Sequence, residues 1–207
     1  AKAQEKEIDP PYNIKTVSFV QNGSNVVPIF ELGSSFTFQF DDLFGSEANY
    51  YFEVIHCDYN WKPTEIPKTD YIYGQDNQRI TDYSNSFNTL QAYTHYTLKF
   101  PNEKMQPKIS GNFELIVYKS SVDQPLFKRR FSIVEENVNL ALNISRIADA
   151  KNPNINQRVE VQAVSKAGDL TSNVNSMTLT VMQNNNPNMK ITNQKPSATM
   201  GNQLLFQ

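Results

Sequence analysis

A single cysteine, Cys57, excludes an internal disulfide and any cysteine-built structural zinc site. Basic surplus is missing too. The net charge is -2, so there is no strong general attraction to nucleic acid or to an anionic membrane. No apolar run approaches the roughly 18 residues that a membrane-spanning helix needs. No segment sustains apolar residues at i, i+3 and i+4, so long amphipathic helices are not expected. There is no glycine-rich phosphate loop and no nucleophile elbow. Initiator methionine is also absent. The opening Ala1-Lys2-Ala3-Gln4 fits equally the remnant of a bacterial signal peptide and an ordinary polar terminus.

What remains is aromatic and alternating. The chain has 207 residues, 39% hydrophobic and 12% aromatic, enough for one large or two ordinary domains with a substantial core. Residues 50–57 are nearly all aromatic or β-branched, which suits a pleated and packed surface. This stretch is expected to be a central strand, stopped by Asp58, Asn60 and Pro63. Phe36, Phe38 and Phe40 alternate with Thr37 and Gln39, and Asp41-Asp42 is expected to end that strand. Residues 14–20, 96–100, 111–117 and 126–134 repeat the two-residue period. Residues 26–32 contain Pro28 and are expected on a sheet edge. Arg129 falls on the apolar face of its strand, which predicts a strand end or a carboxylate partner.

Residues 62–90 interrupt the pattern. A connection of this length is uncommon in a compact domain. Its apolar residues, Tyr71, Ile72, Tyr73, Ile80, Tyr83 and Phe87, predict that it lies against the body, with one or two short strands around Arg79 to Tyr83. After Glu135-Glu136-Asn137 the aromatics nearly vanish and Asn and Ser become frequent. Three alternating strands follow, over residues 138–144, 159–163 and 177–181. A turn is expected at residues 184–187 and a last strand at residues 204–206.

The reading is all-β: tandem immunoglobulin-like β-sandwich domains, with residues 1–13 as a flexible lead-in, 14–136 as the first sandwich and 137–207 as the second. Some seventy residues are thin for a closed sandwich, so the second is expected to be incomplete and the chain to be part of a longer protein.

The first candidate for chemistry is His56-Cys57-Asp58. Neighbouring strand residues face opposite ways, so His56 and Cys57 cannot serve one site. His95, the other histidine, is left open as a cross-strand neighbour of either. His56, His95 and Asp58 have no recognised metal spacing. No catalytic residue, metal ligand or cofactor site is therefore assigned. Trp61, Tyr71, Tyr73 and Arg79 are the candidate partner-binding residues, because aromatic side chains can anchor a protein partner or stack on a sugar. For Trp61 a place in the core remains open. The run Lys128-Arg129-Arg130 reads as a solvated strand face or as a set of carboxylate partners.

Several short motifs then occur in one order: His56-Cys57-Asp58-x-x-Trp61-x-Pro63, Ser86-Phe87-Asn88-Thr89-Leu90, Tyr93-Thr94-His95-Tyr96, Phe100-Pro101-Asn102, Lys108-Ile109-Ser110-Gly111-Asn112-Phe113 and Arg129-Arg130-Phe131. Over residues 14–136 they resemble the N-terminal domain of the type IX secretion system Plug family of Bacteroidetes. The resemblance implies an exported, non-enzymatic protein of tandem β-sandwiches, peripheral to the outer membrane on its periplasmic side. It implies one partner, the outer-membrane translocon barrel, whose periplasmic end such a protein closes when no shuttling protein occupies the barrel's lateral opening. Family members are about twice as long, which makes this chain an N-terminal half, and a monomer is expected. The alternative is a carbohydrate-binding sandwich module of an exported or cell-surface protein, motivated by Trp61, Tyr71 and Tyr73. It requires those rings to be exposed and coplanar.

Overall fold

A computed structural model describes residues 7–75, 77–146, 157–166, 168, 170–184, 186 and 189–207. Contacts divide the chain into two units, Ala1–Glu135 and Glu136–Gln207.

Among the described residues the first unit holds twelve strands and one helical turn. The strands are β1 (Ile14–Gln21), β2 (Ser24–Asn25), β3 (Ile29–Glu31), β4 (Phe36–Asp42), β5 (Tyr51–Cys57) and β6 (Ile72–Gly74). They continue as β7 (Gln78–Arg79), β8 (Asp82–Asn85), β9 (Thr94–Phe100), β10 (Met105–Pro107), β11 (Gly111–Tyr118) and β12 (Phe127–Val134). The helical turn, α1, is Lys68–Tyr71. One sheet has the order β2-β1-β4-β9-β8 and the other β3-β12-β11-β5-β7; β6 and β10 form a separate ribbon.

The period of two in the sequence becomes the packing of these sheets. Phe36, Phe38 and Phe40 on β4 and Tyr96, Leu98 and Phe100 on β9 all point inward and are buried. From the other sheet come Phe52 and Val54, then Phe113, Leu115 and Val117, then Phe127, Phe131 and Ile133. Phe131 is the hub: its ring lies 5.3 Å from Phe36, 5.4 Å from Phe113, 5.8 Å from Phe100 and 6.1 Å from Phe19. Two facing sheets joined by interleaved rings make a β-sandwich. Each fully buried Phe contributes roughly 2 kcal/mol relative to an exposed one.

Several strand expectations change in detail. β4 does not stop before Asp41-Asp42 but runs through Asp42, whose side chain follows the period inward and is 1% exposed. Its carboxylate is satisfied there by Asn13 Nδ2 and Tyr50 OH, each at 2.7 Å, and by the Phe44 amide at 3.1 Å. A buried carboxylate is tolerable with such donors and costly without them. Residues 26–32 do not form one strand. Ser24–Asn25 stays with β1, and the chain crosses at Pro28 so that β3 lies parallel to β12 in the opposite sheet. Nor is β5 central: β11 is, flanked along its length by β12 and β5. Beyond β5 the pairing is short: Tyr51 with Arg79 and Phe52 with Gln78, plus an isolated bridge from Cys57 to Pro63.

From Glu7 onward the N-terminal lead-in is tied to the sandwich. The Ile8 carbonyl accepts from Lys128 N at 3.1 Å and Arg129 Nη1 at 3.2 Å, and Glu7 Oε1 accepts from Arg130 N at 2.7 Å. Arg129 thus finds its partners in the lead-in, with the Glu7 carboxylate 3.9 Å away.

The second unit has β13 (Val138–Arg146), β14 (Gln157–Ser165), β15 (Leu179–Met182), β16 (Lys190–Gln194), β17 (Ala198–Met200) and β18 (Gln203–Phe206). They form a four-stranded sheet, β13-β14-β18-β17, and a ribbon, β15-β16. Val161, Ala163, Leu170, Leu204 and Phe206 make its small core. The apolar row of β13, Val138, Leu140, Leu142 and Ile144, stays exposed. The expected turn at residues 184–187 lies partly outside the described residues.

Candidate functional site

The long connection after β5 has a structural task that its composition alone does not reveal. Half of β5 would otherwise be an open sheet edge, which proteins avoid leaving bare. Tyr71, Ile72 and Ile80 enter the core from the connection. Outside, Lys68 Nζ pairs with Glu53, and Asn77 Oδ1 accepts from Tyr118 OH at 2.7 Å. The connection therefore wraps the edge and is fastened on both faces of the sheet.

It begins with a tight hairpin over residues 58–62. Asp58 Oδ1 accepts from the amides of Asn60 at 2.8 Å and Lys62 at 2.9 Å, and Asp58 N donates to the Lys62 carbonyl at 2.8 Å. An Asp at the start of such a turn satisfies the backbone locally. The geometry places Trp61 at φ 64, a left-handed conformation uncommon for a bulky residue. Its indole is half-buried, and the Arg130 guanidinium lies 4.8 Å from the ring centroid. That cation–π contact contributes about 0.5–1 kcal/mol at a partly exposed site.

Arg130 leads to the group that the sequence did not reveal. Glu114 lies on the outer face of β11 yet is 1% exposed. Lys128 Nζ approaches its Oε2 at 3.3 Å and Arg130 Nε its Oε1 at 3.2 Å. Two of the three cations in the run 128–130 thus enclose one carboxylate, and the third meets Glu7. Glu114 itself sits inside an apolar run that gives no local hint of burial. Only the hairpin register, with Glu114 opposite Arg130 and Ile116 opposite Lys128, brings the cations over it.

The four candidate partner-binding residues have four different supports. Trp61 lies over Arg130. Tyr71 is 5% exposed and belongs to the core, its ring 5.5 Å from His56 and 6.3 Å from Phe113, so it offers a partner no surface. Tyr73 is 62% exposed on β6, and Arg79 is exposed on β7. Burial of Tyr71 removes the three-ring platform that a sugar-binding reading requires.

His56 and Cys57 face opposite sides of β5, as alternation requires. His56 packs inward against Tyr71 and Phe113, and its Nδ1 lies 2.8 Å from Thr64 Oγ1. Burial lowers its pKa, while a hydrogen bond with the Ser110 backbone acts in the other direction. Cys57 is 2% exposed on the outer face. Burial, helped by the Glu114 carboxylate, pushes its thiol up to about 12. A thiol held protonated lacks the thiolate that makes cysteine a nucleophile. His95 is not a cross-strand neighbour of either: it sits on β9 in the other sheet, its Nδ1 2.6 Å from Asp41 Oδ1. Among the described residues no cluster of three metal-ligating side chains occurs, and no helix is long and apolar enough to cross a membrane.

One expectation for the long connection fails at its far end. Phe87 does not lie against the body; it is 94% exposed, and Leu90 beside it is fully exposed. Nothing in the sequence separates these two side chains from the packed residues of the same connection; residues 86–93 are distinguished only by having no charged side chain.

Comparison with known proteins adds two findings. Residues 14–135 match the family model described as type 9 secretion system plug protein 1st domain. The crystal structure of a hypothetical protein from Parabacteroides merdae ATCC 43184 is similar over the whole chain, with a TM-score of 0.86 and 26% sequence identity. The match covers 100% of this chain and 53% of that one, so the chain spans about half the length of that protein. No curated protein matches.

Proposed function

Because this chain belongs to the type 9 secretion system plug family through residues 14–135, we propose that it is a non-catalytic periplasmic protein that docks on the outer-membrane translocon barrel and plugs its periplasmic end. The family match carries the proposal. The sandwich supports it physically. A stopper must hold its shape in a wide opening and still be released, which suits a ring-packed body with a sizeable and reversible interface. The inert settings of Cys57 and His56 leave the reading free of competing chemistry at that point of the fold. The test is a deletion of the full-length gene, followed by purification of the barrel and measurement of its conductance in planar bilayers. Barrels from the deletion strain are expected to be open at the periplasmic end. Closed barrels lacking any copy of this protein would overturn the proposal.

A further inference from the structure

The first sheet collects unused apolar surface at one end. β1 starts at Ile14, β4 ends at Asp42, β9 starts at Thr94 and β8 ends at Asn85. These four residues are neighbours in register: Ile14 with Asp42, Asp42 with Thr94 and Thr94 with Asn85. Residues 12–13, 43–49 and 86–93 therefore emerge side by side. Hydrogen bonds fasten them together. Leu43 N donates to the Asn13 carbonyl at 2.8 Å, Gln91 Nε2 to the Leu43 carbonyl at 3.0 Å, and Ser86 N to the Tyr93 carbonyl at 2.8 Å.

Four large apolar side chains stand out from this end: Tyr12 at 75% exposure, Phe44 at 56%, Phe87 at 94% and Leu90 completely. Tyr12 and Phe44 meet edge to face at 5.8 Å. Phe87 and Leu90 use none of the fold for cover. Scattered surface apolar residues need no explanation, but a group gathered at one end marks an interaction site. The loops are also preorganised. At Gly45, with φ +61, an added Cβ would stand 2.7 Å from Ala92 Cβ, so loops 43–49 and 86–93 are packed together too closely for a side chain between them. A preformed apolar surface loses little ordering entropy on binding.

Charge selects the partner. Glu47 is the one charged side chain in these three segments, and it is exposed with Tyr83 OH 2.6 Å away. With no lysine or arginine there, the end has nothing to offer anionic lipid or nucleic acid. Neutral apolar side chains with a polar Asn, Thr and Gln rim suit a protein pocket.

We propose that this end of the first sheet docks into an apolar pocket with a neutral or basic rim on a protein, with Phe87 and Leu90 as the anchors. Resting on the plug reading, the proposal takes that protein to be the periplasmic mouth of the translocon barrel. The experiment measures binding of the purified barrel in detergent to the full-length protein, to a Phe87→Ser/Leu90→Ser variant and to an Ile191→Ser control. The double variant is expected to keep wild-type unfolding, because both side chains are exposed, and to bind more than tenfold more weakly, as loss of central anchors does. Ile191→Ser, at a residue 62% exposed in the second unit, is expected to change affinity less than twofold. A benzophenone photocrosslinker at position 87 or 90 is expected to capture the barrel. Wild-type binding with an unchanged double variant would overturn this surface and leave the plug reading standing. Failure of the wild type to bind would overturn both. Binding to phosphatidylethanolamine–phosphatidylglycerol vesicles that the double variant loses would assign the surface to membrane instead, and overturn the proposal.

Discussion

Gly111 opens β11, and the fold leaves no room there for even a methyl group. Its φ is +150, a conformation that residues with a Cβ rarely adopt. An added Cβ would overlap His56 Nε2 and stand 2.9 Å from Cδ2. The imidazole cannot step aside, since Thr64 holds Nδ1 at 2.8 Å and the rings of Tyr71 and Phe113 flank it. Gly111→Ala thus meets two obstacles. Backbone strain costs about 1–3 kcal/mol, and overpacking about 1–3 kcal/mol, giving an expected loss of about 3 kcal/mol. His56→Ala separates them. In the double variant the overlap disappears and the backbone strain remains, so the two changes are expected to couple by about 1–2 kcal/mol. Urea unfolding followed by Trp61 fluorescence is the assay. Trp61 is the sole tryptophan and lies in the first unit, so the signal reports on that unit whatever the second one does. A Gly111→Ala protein within about 0.5 kcal/mol of wild type, or strict additivity with His56→Ala, would refute the close-approach argument.

The other expectations concern buried groups. Glu114→Gln keeps the shape but removes the charge between Lys128 and Arg130 and is expected to cost about 2 kcal/mol, read as a lower urea midpoint; no change would show the cluster to be neutral in stability. His56 titrates below its ordinary 6.5 in the folded chain. As pH falls below about 6.5 the unfolded chain takes up a proton that the folded ring resists, so stability falls; His56→Gln is expected to flatten that slope below about pH 6.5. Cys57, with its thiol near 12 and 2% exposure, is expected to stay silent toward Ellman's reagent until urea unfolds the unit. Rapid reaction in the native state would contradict its burial.

Alternation made the all-β architecture legible. A row such as Phe36, Phe38 and Phe40 has one physical solution, a strand with one face in a core, and the structure shows it. Sheet membership was less visible. Pro28 signalled a break, but nothing local says that the chain will change sheets there. Asp42 looked like a stop because a carboxylate belongs in water, and its three donors come from Asn13, Tyr50 and Phe44, which only tertiary structure assembles. The same reason hid Glu114. For the candidate site, aromatic content marked the long connection as packed, but it could not separate Tyr71, which fills the core, from Tyr73 two residues later, or from Phe87, which fills nothing.

The seating of β12 bears on when this unit can exist at all. β12 is its last strand, yet it pairs with β3, about a hundred residues earlier, and Arg130 N reaches Glu7 across 123 residues. Its Phe131 also binds the two sheets together. Sandwiches dominated by such distant pairings fold slowly. During synthesis, therefore, the sheet of β1, β4 and β9 has no completed opposite sheet until residue 134 has followed it. Up to that moment the aromatic faces of β4 and β9 stand open, and the growing chain depends on being kept apart from its neighbours.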